Sequence, residues 1–315
     1  MYLEKTIAVV VPAYNEEKLI ARALESIPDL VDKIIVVNDA SRDNTGNIVR
    51  DEAKKNSKIY LIEHEVNQGV GGAIVTGYKT ARDMNIDVTV VMAGDAQMDP
   101  KDFIPVIEPI ATGTADYTKG NRLFHGDAWQ MIPHYRYLGN SFLSLMTKIA
   151  SGYWHIADSQ SGYTAISLLA LKKLNLDKIY KRYGMPNDIL IMLNELNFRV
   201  RDVHIRPVYN IGEKSGIRLM KVIPKISLIL FKGFWHRLLY KYVIKDFHPL
   251  IFFYLLSIFL LGASVLLSIR LFYFWIILGH VPAITAMALV FSVISGLQTL
   301  FFGMWFDMEY NKDLR

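Results

Sequence analysis

The sequence contains no cysteine among its 315 residues. This absence excludes disulfide frameworks, CxxC redox sites, cysteine–zinc clusters and thiol nucleophiles. It also agrees with a reducing compartment, because disulfides concentrate in proteins of oxidising compartments. The first residues lack the long apolar core and the small-residue cleavage site of a signal peptide. We therefore expect the N-terminal part to stay in the compartment where it is made.

Charged residues are scarce, at 21% of the chain, whereas 52% of the residues are apolar and the mean hydropathy is +0.22. A soluble domain usually carries more charge and less apolar residue. The excess indicates either a very large core or segments that never meet water. Disorder is excluded, because 12% aromatic residues in an apolar chain can bury ample core.

Acidic residues are rare in the last third of the chain. Residues 214–315 hold 11 Lys and Arg but only 4 Asp and Glu. Residues 1–213 hold 24 Lys and Arg and 26 Asp and Glu. The same third contains two uncharged apolar runs, Leu250–Ile269 and Ala283–Phe306. Each run is long enough to cross the roughly 30 Å hydrocarbon core of a bilayer as a helix. The sequence therefore predicts two transmembrane helices joined by a link over Arg270–Pro282.

The segment just before these runs is basic and amphipathic. Lys214–Lys245 contains eight Lys and Arg, no acid, and aliphatic and aromatic residues at helical spacing. Such a pattern is typical of helices lying in the membrane interface, where anionic lipids attract them. A nucleic-acid-binding role is disfavoured because the segment adjoins a predicted span. By the positive-inside rule, residues 1–247 and the tail Asp307–Arg315 are expected in the cytoplasm.

These patterns divide the chain into a cytoplasmic domain over 1–213, interfacial amphipathic helices over 214–247 and two transmembrane helices with a short tail over 248–315. We expect a multi-pass protein of the cell membrane that contacts lipids and binds no nucleic acid. Homo-oligomerisation through the two transmembrane helices is a further possibility.

The first 213 residues alternate between short β-branched runs and amphipathic stretches. This alternation predicts βαβ units and a mainly parallel sheet, whose ligands bind at the carboxyl ends of the strands. The predicted strands are Thr6–Val11, Lys33–Val37, Ile59–Ile62 and Val88–Met92. The predicted helices are Glu16–Ile27, Asn44–Lys55 and Gly72–Met84.

Polar residues follow the first three strands. Tyr14 offers an aromatic face and Glu16 a carboxylate, although Asn15 as a helix N-cap explains the same residues. Asp39 is expected to point into the crevice, where it can accept from a base N–H or a ribose hydroxyl; a turn-stabilising Asp fits equally well. The glycines within 67–73 match neither common phosphate-binding spacing, so we expect them to serve tight turns.

After the fourth strand come Asp95 and Gln97, two positions apart. In an extended chain their side chains point the same way. Two oxygen donors at a strand end suit Mg²⁺ or Mn²⁺, which keeps waters and takes further ligands from substrate phosphates. Asp99 precedes Pro100, a pattern typical of a helix N-cap, so Asp99 is interpreted as structural.

Taken in order, the four strand ends resemble those of family 2 glycosyltransferases. The residues that carry the resemblance are VVVPAYNEE, VVNDASRDNT, NQGVGGA and VVMAGDAQMDP. A second set is similar to the polyprenyl-phosphate hexosyltransferases, such as dolichyl-phosphate mannose synthases. It consists of Asp116–Arg122, Tyr135-Arg136, Asp158–Tyr163 and Gly212–Ser215.

The resemblance covers residues 1–218 and implies a GT-A fold. It also implies an inverting enzyme that moves a hexose, mannose or glucose, from a GDP- or UDP-linked donor to polyprenyl or dolichyl phosphate. The reaction would take place at the cytoplasmic face of the membrane, with Mg²⁺ or Mn²⁺ as cofactor.

The resemblance further implies roles for individual residues. The residues that would hold the base and ribose are Pro12, Tyr14, Glu16 and Asp39. Asp95 and Gln97 would hold the metal ion. Those that would act in catalysis are Asp95, Arg122 and Arg136. The residues that would meet the acceptor phosphate are Arg122, Arg136, Lys214 and Ser215.

The chain departs from the family pattern at several positions. The order of Lys214 and Ser215 is the reverse of the usual Ser-Lys, and Asn140 stands where a Ser is common. Ala93 stands where relatives commonly carry a first Asp, and Tyr209 stands where they often carry an Arg. Arg206 is a candidate replacement for that Arg.

Two alternatives to polyprenyl phosphate transfer are kept. A glycosyltransferase acting on a lipid or glycan hydroxyl needs a general base, for which Asp188 is the candidate; an N-cap role for Asp188 is favoured. A non-enzymatic, membrane-anchored module that binds sugar nucleotides is the other alternative. A processive polysaccharide synthase is disfavoured, because the sequence has no QxxRW segment.

Overall fold

The computed structural model describes residues 1–124, 129, 134–208 and 219–315, without the side chains of 135, 136 and 219–221. The side chain of Arg136, together with Tyr209, Lys214 and Ser215, therefore lies outside the described residues. The chain forms two compact units. The first comprises Met1–Phe234 with Asp313–Arg315, and the second comprises Trp235–Lys312.

The first unit is built on a seven-stranded sheet with strand order β3-β2-β1-β4-β6-β5-β7. Four of its six strand pairings are parallel, and β6 runs antiparallel between β4 and β5. The predicted mainly parallel sheet is confirmed. The strands are β1 Ile7–Ala13, β2 Lys33–Asn38, β3 Ile59–Glu63, β4 Val88–Val91, β5 Tyr117–Asn121, β6 Thr164–Ser167 and β7 Val200–His204.

Helices cover both faces of this sheet. Successive side chains of β1 point to opposite faces, so Val9 packs in one apolar cluster and Val10 in the other. A Cβ at Gly77 would lie 2.2 Å from Val10 Cγ1, so α3 rests directly on β1. The helices are α1 Ile20–Glu25, α2 Thr45–Lys55, α3 Val70–Asp83, α4 Phe103–Ala111, α5 His134–Ser151, α6 Leu168–Lys173 and α7 Met185–Glu195.

The first helix is shorter than predicted. It begins at Ile20 rather than Glu16, and its N-cap residue is Leu19. Asn15 adopts a left-handed conformation with φ of 57°, which is incompatible with a helix start. The N-cap interpretation of Asn15 is therefore wrong, and residues 14–19 form a loop at the carboxyl edge of the sheet.

Within the described part of the basic segment, Leu219–Leu239 form one long helix, α8. Within the first unit, Ile226 and Leu230 are buried against α5 and α7, and a Cβ at Gly233 would lie 2.4 Å from Ile191 Cδ1. Lys225 and Lys232 are exposed on the same helix, as an amphipathic segment requires. A π-helical turn, Tyr240–Lys245, follows α8 in the second unit.

The second unit contains α9, Leu250–Leu278, and α10, Ala283–Tyr310, two helices long and apolar enough to cross a membrane. At 1.5 Å per residue they measure about 43 and 42 Å. The predicted link over Arg270–Pro282 is wrong, because α9 continues through Arg270 to Leu278. Gly279 follows with φ of 66°, a left-handed conformation that terminates the helix.

A buried polar cluster joins the end of α8 to the end of α10. Arg237 donates from Nη1 and Nη2 to the Asp307 carboxylate at 2.8 and 3.0 Å, and both side chains are fully buried. Tyr242 and Asn311 also donate to Asp307, while Lys241 Nζ donates to Asn311 Oδ1 at 2.7 Å. α10 continues to Tyr310, and these contacts hold its last turns. The cytoplasmic placement of Asp307–Arg315 stays a prediction.

Candidate active site

The loops after β1 and β2 are tied to each other by hydrogen bonds. The two strands end side by side, with Ala13 opposite Asn38. The N–H of Arg42 donates to Asn15 Oδ1 at 2.8 Å, and the N–H of Glu16 donates to Thr45 Oγ1 at 2.8 Å. These contacts fix the backbone that carries Tyr14 and Glu16 at the carboxyl edge.

Three residues at this edge have a left-handed backbone although none is glycine. They are Asn15, Ala40 and Ala96, with φ of 57°, 58° and 56°, and they follow β1, β2 and β4 respectively. An L-residue in this conformation costs roughly 1–2 kcal/mol. Backbone strain of this kind concentrates at functional sites, where the surrounding structure holds it in place. The strain therefore marks the same edge as the polar residues do.

Asp39 is buried rather than aimed into an open crevice. Its carboxylate accepts from the N–H groups of Gln68 and Gly69, both at 2.8 Å, and from His64 Nδ1 at 2.7 Å. Only 3% of its side chain is exposed. Asp39 thus fixes the turn that opens α3, and its role in holding the nucleotide stays a prediction.

The glycines of the same turn allow another part of the chain to approach closely. A Cβ at Gly71 would lie 2.5 Å from the carbonyl oxygen of Tyr180, and the N–H of Gly72 donates to the carbonyl of Lys181 at 2.9 Å. Gly69 has φ of 87°, which an L-residue rarely adopts. The structure gives these glycines a role in turn and packing geometry, in agreement with the sequence interpretation.

Asp95 and Gln97 form a turn and not the expected extended segment. Between them Ala96 is left-handed, and the N–H of Gln97 donates to Asp95 Oδ1 at 3.1 Å. Gln97 Nε2 donates to the carbonyl oxygen of Val208 at 3.2 Å. The carboxamide nitrogen of Gln97 is thereby engaged, so its oxygen is the atom suited to a metal ion.

Negative charge accumulates beside this turn. Burial, followed by the charges of Asp95 and Asp43, raises the pKa of Glu16 to about 7. Carboxylate and carboxamide oxygens in a region of excess negative charge suit a divalent cation. No group of three or more His, Asp or Glu side chains suited to a metal occurs among the residues that the structure describes. The site therefore fits an ion that takes its remaining ligands from a diphosphate and water.

Arg122 follows β5 at the same edge of the sheet, because β5 runs in the direction of β4. Its Nε donates to Asp158 Oδ2 at 2.8 Å and its Nη2 to Asp158 Oδ1 at 3.2 Å. Asp158 is fully buried, while 23% of the Arg122 side chain is exposed. Burial alone would raise the pKa of Asp158, but the positive charge of Arg122 lowers it. The carboxylate therefore holds Arg122 in one orientation.

Asp188 has a structural partner. Its Oδ2 accepts from the N–H of Tyr180 at 2.8 Å, and it lies in the first turn of α7, whose N-cap residue is Gly184. The N-cap interpretation of Asp188 is therefore wrong in position, although the side chain does stabilise the entry to α7. Burial raises its pKa.

The structure thus brings Pro12, Tyr14, Glu16, Asp95, Gln97 and Arg122 to one edge of the sheet, with Asp39 buried behind them. The N–H of Gly94 donates to the carbonyl of Pro12 at 3.2 Å, which joins the β1 and β4 ends. Sequence reasoning missed His64, the partner of Asp39. The sequence offered one signal for His64, a polar residue directly after β3. The contact itself could not be predicted, because it joins positions 25 apart in the chain.

Comparison with known proteins identifies the family. The model of glycosyl transferase family 2 matches residues 8–174. The chain belongs to this family. It is 35% identical to a UDP-N-acetylglucosamine–dolichyl-phosphate N-acetylglucosaminyltransferase of Methanococcus voltae, over 76% of this chain and 97% of that protein. It is 28% identical to an undecaprenyl-phosphate mannosyltransferase of Micrococcus luteus, over 63% of this chain and 82% of that protein.

Solved structures confirm the predicted GT-A fold of this family 2 chain. A crystal structure of glucosyl-3-phosphoglycerate synthase from Mycobacterium tuberculosis with UDP is similar, with a TM-score of 0.54 and 20% identity. The alignment covers 74% of this chain and 80% of the synthase chain. Other crystal structures of that synthase contain UDP with Mn²⁺ or Mg²⁺. At this identity the similarity establishes the fold.

Proposed function

We propose that this family 2 transferase moves a sugar from a UDP-linked donor to a dolichyl or polyprenyl phosphate. The observation that carries the proposal is the meeting of two groups at one sheet edge. One is the Asp95–Gln97 turn, whose oxygens suit a cation, and the other is Arg122 held by buried Asp158. The named activities of the Methanococcus voltae and Micrococcus luteus relatives support the lipid phosphate acceptor.

The chemistry is an in-line displacement at the anomeric carbon. An oxygen of the acceptor phosphate forms the new bond to that carbon, while the bond to the diphosphate oxygen breaks and the configuration inverts. A divalent cation, when bound, supplies electrostatic stabilisation of the departing diphosphate. Asp95 and Gln97 would hold it, and Arg122 presents its guanidinium to the phosphates.

The acceptor makes a strong general base unnecessary. A phosphate monoester has a second pKa of about 6, so it is largely ionised at neutral pH. This agrees with the position of Asp188, whose carboxylate already accepts from the Tyr180 backbone. A hydroxyl acceptor would instead require a side chain that removes its proton.

The membrane arrangement is part of the proposal. The two apolar helices α9 and α10 would cross the bilayer, and the exposed lysines of α8 would meet anionic headgroups. The catalytic unit would then work at the cytoplasmic face. An acceptor whose phosphate lies among the headgroups and whose prenyl chain lies in the bilayer suits such an enzyme.

The substrate assignment is tested by incubating membranes that contain the protein with polyprenyl phosphate and labelled UDP-N-acetylglucosamine, UDP-glucose or GDP-mannose. We expect label from a UDP-sugar in the lipid extract, in a product that releases sugar under mild acid, as a glycosyl phosphate does. Label from GDP-mannose alone would overturn the proposal that the donor is a UDP-sugar. An acid-stable glycolipid would establish a hydroxyl acceptor, and transfer from none of the three donors would contradict the proposed enzyme.

Replacing Asp188 with asparagine separates the two acceptor classes. We expect kcat to change by no more than about threefold, because the carboxamide oxygen of the new side chain can still accept from the Tyr180 N–H and the hydrogen bond is kept. Loss of a general base typically lowers the rate by about 10²–10⁴-fold. A loss of that size in a variant with an unchanged melting temperature would favour a hydroxyl acceptor.

A further inference from the structure

A buried hydrogen-bonded chain connects Asp39 to the interior of the first unit. His64, one residue after β3, places Nδ1 2.7 Å from Asp39 Oδ1 and Nε2 2.9 Å from Thr76 Oγ1 of α3. The side chains of His64 and Asp39 are 7% and 3% exposed. Three elements, β2, β3 and α3, therefore fix one imidazole ring and one carboxylate.

The direction of these hydrogen bonds follows from the chemistry of the groups. An ionised carboxylate only accepts, so Nδ1 of His64 must carry the proton that it shares with Asp39. In the neutral imidazole Nε2 then accepts from the Thr76 hydroxyl. Burying a charge without partners is costly. Among the residues that the structure describes, no Lys or Arg forms an ion pair with Asp39, so His64 and two backbone N–H groups provide its stabilisation.

The donors around Asp39 limit what else it can bind. A carboxylate has about four acceptor directions. Oδ1 accepts from His64 and from the N–H of Gln68, and Oδ2 accepts from the N–H of Gly69. No hydrogen bond to the second acceptor direction of Oδ2 comes from the residues that the structure describes, so that direction remains. A base edge with one imide N–H, as in uracil, matches a single acceptor direction, whereas the guanine edge presents two donors side by side.

We propose that His64 is a positioning residue for nucleotide recognition, which holds the Asp39 carboxylate in the orientation that accepts one N–H of a uracil base. This inference rests on the proposed function, because it takes the donor to be a UDP-sugar. His64 does not touch the nucleotide. It acts through Asp39, and its contact with Thr76 fixes the plane of the imidazole ring.

Two substitutions of His64 separate its two nitrogens. In asparagine the carboxamide nitrogen is two bonds from Cβ, as Nδ1 is in histidine, so His64→Asn keeps a donor for Asp39. In glutamine that nitrogen is three bonds from Cβ, as Nε2 is, so His64→Gln reaches Thr76 and leaves Asp39 without this donor. Thr76→Val, which removes only the hydroxyl partner, is the matched control.

The test is calorimetric titration of the full-length protein in detergent with UDP, and separately with pyrophosphate, both with Mg²⁺. We expect His64→Gln to raise the Kd for UDP about tenfold or more, as loss of a hydrogen bond to a charged group does. His64→Asn and Thr76→Val are expected to stay within about threefold. Pyrophosphate affinity should be the same in all four proteins, because that ligand has no base.

Each result has a defined consequence. Equal UDP affinity in the wild type and His64→Gln would overturn the positioning role and leave the proposed function intact. Parallel losses for UDP and pyrophosphate, or equal losses in the Asn and Gln variants, would establish a merely structural role. Failure of the wild type to bind UDP would overturn the proposed donor itself. If His64→Gln does not fold, His64→Ala replaces it, and added imidazole must restore its affinity for UDP.

Discussion

Replacing Asp95 with alanine is expected to lower kcat/KM for sugar transfer by about 10²–10³-fold or more, the loss typical of a group that stabilises transition-state charge. Asp95 carries the carboxylate of the turn whose oxygens suit a divalent cation, and Ala93 supplies no second carboxylate on that strand end. Without it, the departing diphosphate would lose its cation. Transfer rates at increasing Mn²⁺ concentration, and Mn²⁺ binding followed by electron paramagnetic resonance with UDP present, check both parts of this expectation.

Asp99 provides a control from the same loop. Its carboxylate accepts from the N–H of Lys101 at 2.9 Å and caps a short 3₁₀ turn. Asparagine caps such turns equally well, so Asp99→Asn should keep activity and Mn²⁺ binding within about twofold. A folded Asp95→Ala protein that retained full activity would remove Asp95 from the metal site.

Replacing Arg122 with alanine is expected to lower kcat/KM for the lipid phosphate by about 10²–10³-fold, because a guanidinium that stabilises phosphate charge is lost. Arg122→Lys should recover only part of this loss, since an ammonium keeps the charge but not the planar pair of donors. Steady-state kinetics with the acceptor varied at saturating donor give the measurement. Melting temperatures are needed alongside, because buried Asp158 loses the guanidinium that pairs with it in the Ala variant.

A second arginine–aspartate pair serves as the comparison for Arg122. Arg199 Nε lies 3.4 Å from Asp116 Oδ2, and 42% of the Arg199 side chain is exposed. Exposed pairs of this kind contribute little to stability. We expect Arg199→Ala to leave both kinetic constants within about twofold of the wild type. An unchanged KM for the acceptor and an unchanged kcat in Arg122→Ala would place Arg122 outside the site.

The four strands of the parallel half of the sheet, β3-β2-β1-β4, were predictable from local pattern. The first and last residues of each predicted strand lie within two residues of those of β1, β2, β3 or β4. Continuous β-branched runs favour buried parallel strands, which is why the local pattern located them. The antiparallel strand β6 was not predicted. Its position between β4 and β5 depends on pairings such as Val90 with Ala165, which local sequence does not encode.

The site was predictable to the level of the sheet edge, but not in the geometry of its side chains. The order of strands brings Glu16, Asp95 and Arg122 to that edge, so their type and place could be inferred. The burial of Asp39 could not, because it depends on His64 and on the turn that begins at Gln68, both far along the chain. Likewise Arg270 suggested the end of a helix, whereas α9 passes through it with the guanidinium over the Phe274 ring, 5.6 Å from its centroid.

The pairing of Arg237 with Asp307 sets an order for the maturation of the second unit during biosynthesis. The two residues are 70 positions apart, so the Asp307 carboxylate can meet Arg237 only after both apolar helices have been translated. A buried charge without its partner is strongly destabilising. The end of α8 therefore reaches its final packing only when the last turns of α10 arrive, so the second unit matures as a whole and not helix by helix.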